Sequence, residues 1–367
     1  MARLTSVRPA LLIIALITAA CSGADGGTTD AATGGSNASP PAAAEPPTGA
    51  GVATTVASNA DGGSSSDRAS TDSSDEGAPS IPSASATSSS TAPARMEPEP
   101  APDDRPLPTS AEQLAAELEE AERALRAPGI DEAGAAPWGR RQQALYRVLA
   151  FNPEWAEVVL ADVDASLRDA VAHNWTARQE LLALVNTEEL SETLPAWRIG
   201  RPRPADELLG YYREAEAATG VPWEILASIN LVETRMGRIQ GISTAGAIGP
   251  MQFLPTTWNE CCDGDPTEPR DAINGAARYL VQRGGDTDLD RAIFGYNNSD
   301  YYVTAVSSYA AVMEADEAAY YGYHAWQVYF LSSAGLIVLA EGYEQPEPLE
   351  AVAYLAAHPE SLFPDGR

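Results

Sequence analysis

Apolar positions recur at helical spacing in several blocks along the chain, and each block ends on a recognisable breaker. Leu114, Leu118, Ala121 and Leu125 share one face behind a Ser110–Gln113 capping box, and Pro128-Gly129 stops the run. A second helix is predicted from about Trp138 to Phe151. A third opens at Asn152-Pro153-Glu154, with asparagine as cap and proline in the first turn, and further helix covers roughly Thr176 to Asn186. Pro222 opens another, in which Ile225, Leu226, Ile229 and Val232 lie together. Beyond an acidic loop at Asp265-Pro266, Ile273, Ala276, Ala277 and Leu280 mark one more. Near the end the period changes: Val328 to Leu331 and Leu336 to Leu339 flank Ser332-Ser333-Ala334-Gly335, the pattern of a short β-hairpin. At most a short helix around Leu349 to Leu355 follows. The fold predicted is mainly α with one small hairpin.

The first hundred residues follow neither period. Arg3 and Arg8 precede an apolar run, Leu11 to Ile17, too short to span a bilayer as a mature helix. Thr18-Ala19-Ala20-Cys21 then resembles the lipobox of bacterial lipoproteins, which implies a signal peptide over 1–20, lipidation of Cys21 and a lipid anchor on the outer face of the cell membrane. An ordinary secretory signal is the plainer alternative. Residues 21–104 are Ser, Thr, Ala, Gly, Pro and acids, with almost nothing to bury, so they read as a disordered tether. A chain of that length spans on the order of 50 Å as a coil. The remainder divides into a helical region at 105–204 with no arrangement suggesting chemistry, a segment at 205–345 that carries the motifs, and a tail at 346–367.

Charge narrows the partners. With 52 acidic against 23 basic residues the chain carries −29, which argues against nucleic acid. Three cysteines and three scattered histidines (His173, His324, His358) argue against a metal centre or a disulfide scaffold, and no cofactor motif is present. The adjacent Cys261 and Cys262 leave a vicinal disulfide, two partly buried thiols or an intermolecular bridge open. The first is favoured on the oxidising side of a membrane.

Glu233 is the candidate for chemistry. It falls four residues after Ile229, on or beside the apolar face, where desolvation would raise its pKa and suit it to general-acid work. A buried ion pair with Arg235 or Arg238, or a solvated helix end, would explain the same spacing. Around it stand Val232-Glu233-Thr234, then the dense string from Gly246 to Trp258 that includes Gly249-Pro250-Met251-Gln252-Phe253, then Gly295-Tyr296-Asn297. Together these resemble the lytic transglycosylases of the soluble lytic transglycosylase superfamily, over roughly 205–345.

That resemblance implies a lysozyme-like helical domain acting on peptidoglycan glycan strands, with Glu233 as acid/base. It also implies that Met251, Gln252, Tyr296, Asn297 and Thr234 bind substrate or orient the acid. Thr234 stands where the family usually has serine, and Asn298-Ser299 where it often has Ala-Gly. A transglycosylase needs one carboxylate, since the sugar's own C6 hydroxyl closes on C1 to leave a 1,6-anhydro end, whereas a hydrolase needs two. Asp263, Asp265, Asp271 and Asp300 are available as a second acid but read as caps and loop acids. A peptidoglycan-binding lipoprotein without activity and a hydrolytic muramidase are the competing functions. Trp326 and Tyr343 could line the end of a glycan groove, although core is their commoner role.

Overall fold

In a computed structural model, the structure describes residues 101–364; the signal-peptide and lipidation readings, including Cys21, and nearly all of the tether lie outside them. The described part of the chain belongs to one compact unit.

Twelve helices and six short strands follow in chain order among the described residues. The first four helices are α1 (Ala111–Leu125), α2 (Glu132–Phe151), α3 (Ala156–Asp162) and α4 (Arg168–Ala183). Strands β1 (Thr193–Leu194) and β2 (Arg198–Ile199) lead to α5 (Ala205–Thr219), α6 (Trp223–Thr234) and β3 (Ile239–Gln240). Then come α7 (Pro255–Cys261), α8 (Pro269–Gln282), α9 (Leu289–Tyr296), α10 (Asp300–Ala315) and α11 (Ala319–His324). The chain closes with β4 (Val328–Ser332), β5 (Gly335–Leu339), β6 (Leu349–Glu350) and α12 (Ala351–Ala357).

Local rules account for most boundaries and also for the differences. The Ser110 hydroxyl accepts from Gln113 N, as the capping box predicts. Helix α2 begins six residues before Trp138, because Asp131 caps it by accepting from Gly134 N at 2.8 Å and the helix then carries Pro137 inside. Asn152 does not cap the next helix. Its amide instead donates back to Val148 O at 2.8 Å, and Pro153–Trp155 forms a 3₁₀ turn running into α3. Helix α4 starts eight residues earlier than the apolar pattern implied, since Val171 and the polar Asn174 both face inward.

Three apolar clusters hold these elements. One joins α4, α5, α6, α8, α9, α10 and α11, with Tyr212, Tyr302, Tyr309, Tyr320 and Tyr323 at its centre. A second joins α1 to α4 and closes on Tyr329, Leu336 and Phe363. The third lies under the strands, around Trp197, Phe330 and Tyr343. The partition into 105–204 and 205–345 is therefore not a partition of packing: Ala177 and Leu181 of α4 belong to the same cluster as the apolar residues of α6. Residues after 345 are integral as well. Leu349 and Glu350 pair with Leu194 and Thr193, and Phe363 N donates to Leu336 O at 2.8 Å. The hairpin occurs as predicted, β4 pairing antiparallel with β5 from Val328↔Leu339 to Ser332↔Gly335. At the other end Asp103 already accepts from Arg140 Nε at 2.5 Å, so the last residues of the segment read as tether are docked. No helix among the described residues is long and apolar enough to cross a membrane.

Candidate active site

Helix α6 is buried on every side: of its twelve residues only Glu224 is not buried. Glu233, the penultimate one, is therefore desolvated by its position in the middle of the molecule rather than by an apolar stripe alone. Its Oε1 accepts from the Tyr302 hydroxyl of α10 at 2.8 Å, the one hydrogen bond it receives among the described residues. Burial pushes its pKa up to about 8, and the Tyr302 bond and the nearby Arg235 charge pull only part of the way back. Near neutral pH the carboxyl thus holds a proton that it can donate.

The ion-pair alternatives do not form. No salt bridge joins Glu233 to Arg235 or Arg238 among the described residues. Arg235 donates to Leu231 O within its own helix, and Arg238 Nη2 donates to His324 O at 3.0 Å. Arg235 and Met236 adopt left-handed backbone, φ 55° and 61°, which stops α6 directly after Thr234. Such conformations cost non-glycine residues about 1–2 kcal/mol each, so the surrounding packing must hold them.

Thr234 lies inside rather than on a groove. Its Oγ1 donates to Pro250 O at 2.6 Å and accepts from Gly237 N at 3.0 Å, which fastens the end of α6 to the loop before α7. In that loop Ile248 and Phe253 exchange both backbone hydrogen bonds. A Cβ on Gly249, at φ 76°, would meet Pro266 O at 1.8 Å, so only glycine fits there. Gln252 is the third non-glycine residue at positive φ; its Nε2 donates to Gly249 O at 2.9 Å. Met251 is fully buried, and its sulfur takes a contact from Asn230 Nδ2 at 3.1 Å. Its carbonyl accepts from the Tyr296 hydroxyl at 2.6 Å.

The Met251–Tyr296 bond ties two chain segments together, and the next residue along each is Gln252 or Asn297. Both are buried, and each leaves one polar atom without a partner among the described residues: Gln252 Oε1, an acceptor, and Asn297 Nδ2, a donor. Buried polar atoms are rarely left so. An unpartnered acceptor and an unpartnered donor are the complement of a ligand amide. Burial, and after it the nearby Glu233 charge, holds the Tyr296 hydroxyl well above the usual range. The fold thus brings Glu233, Met251, Gln252, Tyr296 and Asn297 into one neighbourhood, with Thr234 as a fastener behind it.

Tyr302 escapes the sequence reading. Its only signal is a tyrosine five residues after Asn297 on the inner face of a helix, where a phenol needs an acceptor. Two of the loop acids are engaged locally: Asp265 accepts from Thr267 N and Oγ1, and Asp271 accepts from Asp265 N at 3.0 Å. Cys261 and Cys262 are joined as a vicinal disulfide. Trp326 and Tyr343 are core, bonded to Gln142 Oε1 and Pro195 O. Among the described residues no cluster of His, Cys, Asp or Glu is arranged to hold a metal.

Comparison with known proteins agrees with this geometry. Residues 210–317, from within α5 to just past α10, match the transglycosylase SLT domain family, and the match includes every residue placed around Glu233. This stretch is a domain of the lytic transglycosylase superfamily. Within the chain, 81 residues are 31% identical to a membrane-bound lytic murein transglycosylase F of Thiobacillus denitrificans. The aligned part is 22% of this chain and 17% of that protein, so the chain spans about a sixth of the length of the relative it matches. No solved structure matches.

Proposed function

We propose that this protein is a peptidoglycan lytic transglycosylase. It would cleave the β-1,4 bond between N-acetylmuramic acid and N-acetylglucosamine and leave a 1,6-anhydromuramyl end. The observation that carries the reading is a buried glutamic acid that accepts from a tyrosine hydroxyl and, among the described residues, meets no second carboxylate; burial pushes its pKa up to about 8. Glu233 donates its proton to the leaving glycosidic oxygen. The resulting carboxylate, held by the Tyr302 hydroxyl, then takes the proton from the muramic acid C6 hydroxyl as that oxygen closes on C1. One group serves both steps, and water is not consumed. Gln252 Oε1 and Asn297 Nδ2 would engage the substrate's N-acetyl amide as acceptor and donor and steady the charge at C1.

The test is mass spectrometry of fragments released from purified sacculi. Non-reducing-type products lighter by one water than lysozyme fragments support the reading. Reducing ends as the main product would point to a muramidase, and sacculi bound without release to a wall-binding protein.

The same proposal places the protein in the cell envelope, tethered through a lipid on Cys21. Cys21→Ala is expected to move it from the membrane fraction to the soluble one, measured by fractionation and immunoblot.

A further inference from the structure

Three arginines converge inside the molecule with no acid paired to any of them. Arg147 comes from α2, Arg178 from α4 and Arg235 from the end of α6. Arg147 and Arg235 are buried, at 3% and 7% exposure, and Arg178 is half-buried. Contacts between their helices bring them together. Gln179 Nε2 donates to Ala150 O at 3.4 Å, which fastens α4 to α2 close to Arg178 and Arg147. Asn174, one turn before Arg178, accepts from the Tyr323 hydroxyl at 2.7 Å, and the Tyr323 ring meets that of Tyr309 at 5.4 Å. Tyr309 lies two turns along α10 from Tyr302, the partner of Glu233, and all three guanidinium charges act on its hydroxyl.

None of the three is neutralised. Among the described residues no ion pair reaches them, and Arg147 Nε and Nη1, Arg178 Nε and Arg235 Nε are buried N–H groups without a hydrogen-bond partner. The indole Nε1 of Trp175, one turn before Arg178 on α4, is left in the same way. Arg235 Nη1 donates to Leu231 O, and Arg147 Cζ stands 3.7 Å from the centre of the Tyr329 ring. Elsewhere the fold partners a buried guanidinium well: Arg141, at 2% exposure, donates to Glu117, Arg105 O and Pro106 O. Burial lowers the pKa of all three arginines, and the charges of Arg178 and Arg235 lower that of Arg147 further. A guanidinium nevertheless keeps its proton in a protein, so the cluster calls for a counter-charge.

The donors define what supplies it. They stand on three separate elements, so a polyatomic anion reaches them better than a monatomic one. Guanidinium forks match the paired oxygens of an oxyanion, and three positive charges favour an anion carrying more than one negative charge. A cluster this deep admits a free ion rather than a polymer, and half-buried Arg178 marks the way in. We propose that Arg147, Arg178 and Arg235 form an interior site for a small inorganic oxyanion, phosphate or sulfate, that fastens α2, α4 and the end of α6 to one another. The glycan chemistry proposed above does not use this ion, so the two readings stand or fall separately.

The test follows the melting temperature of the full chain as phosphate or sulfate is added, with ionic strength held constant by sodium gluconate, an anion too bulky for the site. Above the dissociation constant, each tenfold increase in either oxyanion is expected to raise the melting temperature by about 2–5 °C, with one ion bound per chain by calorimetry. In Arg178→Gln and in Arg147→Gln the rise is expected to vanish, and if one variant does not fold the other decides. Without oxyanion, Arg178→Gln should melt no lower than wild type, since one uncompensated charge has gone. No rise in wild type overturns the proposal. So does a rise that persists in a folded variant, which puts the ion elsewhere, or an equal rise with chloride, which means the site selects no oxyanion.

Discussion

Glu122 on α1 and Glu233 on α6 are both buried, at 0% and 1% exposure, yet the fold treats them oppositely. Around Glu122 both carboxylate oxygens are engaged. Oε1 accepts from the Tyr146 hydroxyl at 2.5 Å and Gln142 Nε2 at 2.9 Å, with Asn174 Nδ2 at 3.4 Å, and Oε2 accepts from Arg126. Tyr323 extends the network by donating to Asn174 Oδ1. Four elements, α1, α2, α4 and α11, meet there. Among the described residues Glu233 receives one neutral donor and no cation. Burial with a full donor set fixes a carboxylate in place and occupies it. Burial with one donor leaves an acid free to exchange its proton, at a cost in stability that the rest of the fold offsets.

The contrast can be broken at either end. The largest effect is expected from Glu233→Gln, which keeps shape and removes the proton donor. Turnover on sacculi should fall about 100- to 10,000-fold, the usual weight of a general acid, while the melting temperature holds or rises. Activity within a few-fold of wild type would assign the acid elsewhere. Glu122→Gln should do the reverse. It removes the carboxylate charge beside Arg126 and sets an NH2 donor where that guanidinium or the other donors need an acceptor, and a loss of about 2–4 kcal/mol in denaturant unfolding is expected, with kcat kept below the new melting transition. Tyr302→Phe comes next. Without its bond Glu233 should titrate higher still, so the alkaline limb of the rate profile moves up in pH while kcat falls about tenfold for want of a donor to the carboxylate.

The smallest expected effect concerns stability against pH. Glu233 binds its proton more tightly folded, near pH 8, than unfolded, near 4.5. The folded state therefore holds the extra proton between those values, and stability from this group declines as pH rises through that window. Below pH 4.5 the penalty is absent; above 8 it is complete. Glu233→Gln removes it, so the variant's advantage in melting temperature over wild type should be larger at pH 8 than at pH 5, measured by calorimetry. An advantage independent of pH would mean Glu233 titrates in the ordinary range.

What could be foreseen divides along the same line. Leu114, Leu118, Ala121 and Leu125 predicted α1 because helical periodicity is local, and the hairpin at 328–339 was legible for the same reason. Glu233 stood out through its place after Ile229 and the ordered motifs that follow. Glu122 was invisible. It sits in Glu117–Arg126 among residues that read as a solvated face, and only side chains from three other helices make it interior. Tyr302 is hidden likewise, since its acceptor lies 69 residues away. The pairing of Leu349 with Leu194 rests on two residues in each strand, too few to leave a pattern in either.

Phe363 is one of the last described residues, yet it completes the cluster that Leu114 begins, meeting the Tyr329 ring at 5.7 Å. During synthesis the first helices therefore emerge long before the residue that closes over them. Contacts of such sequence separation form late, after the loop entropy between them has been overcome. The N-terminal cluster cannot finish on the ribosome while the end of the chain is still being made. On the proposed envelope reading, in which the chain is exported, that delay works as a timer: the chain stays threadable until Phe363 arrives.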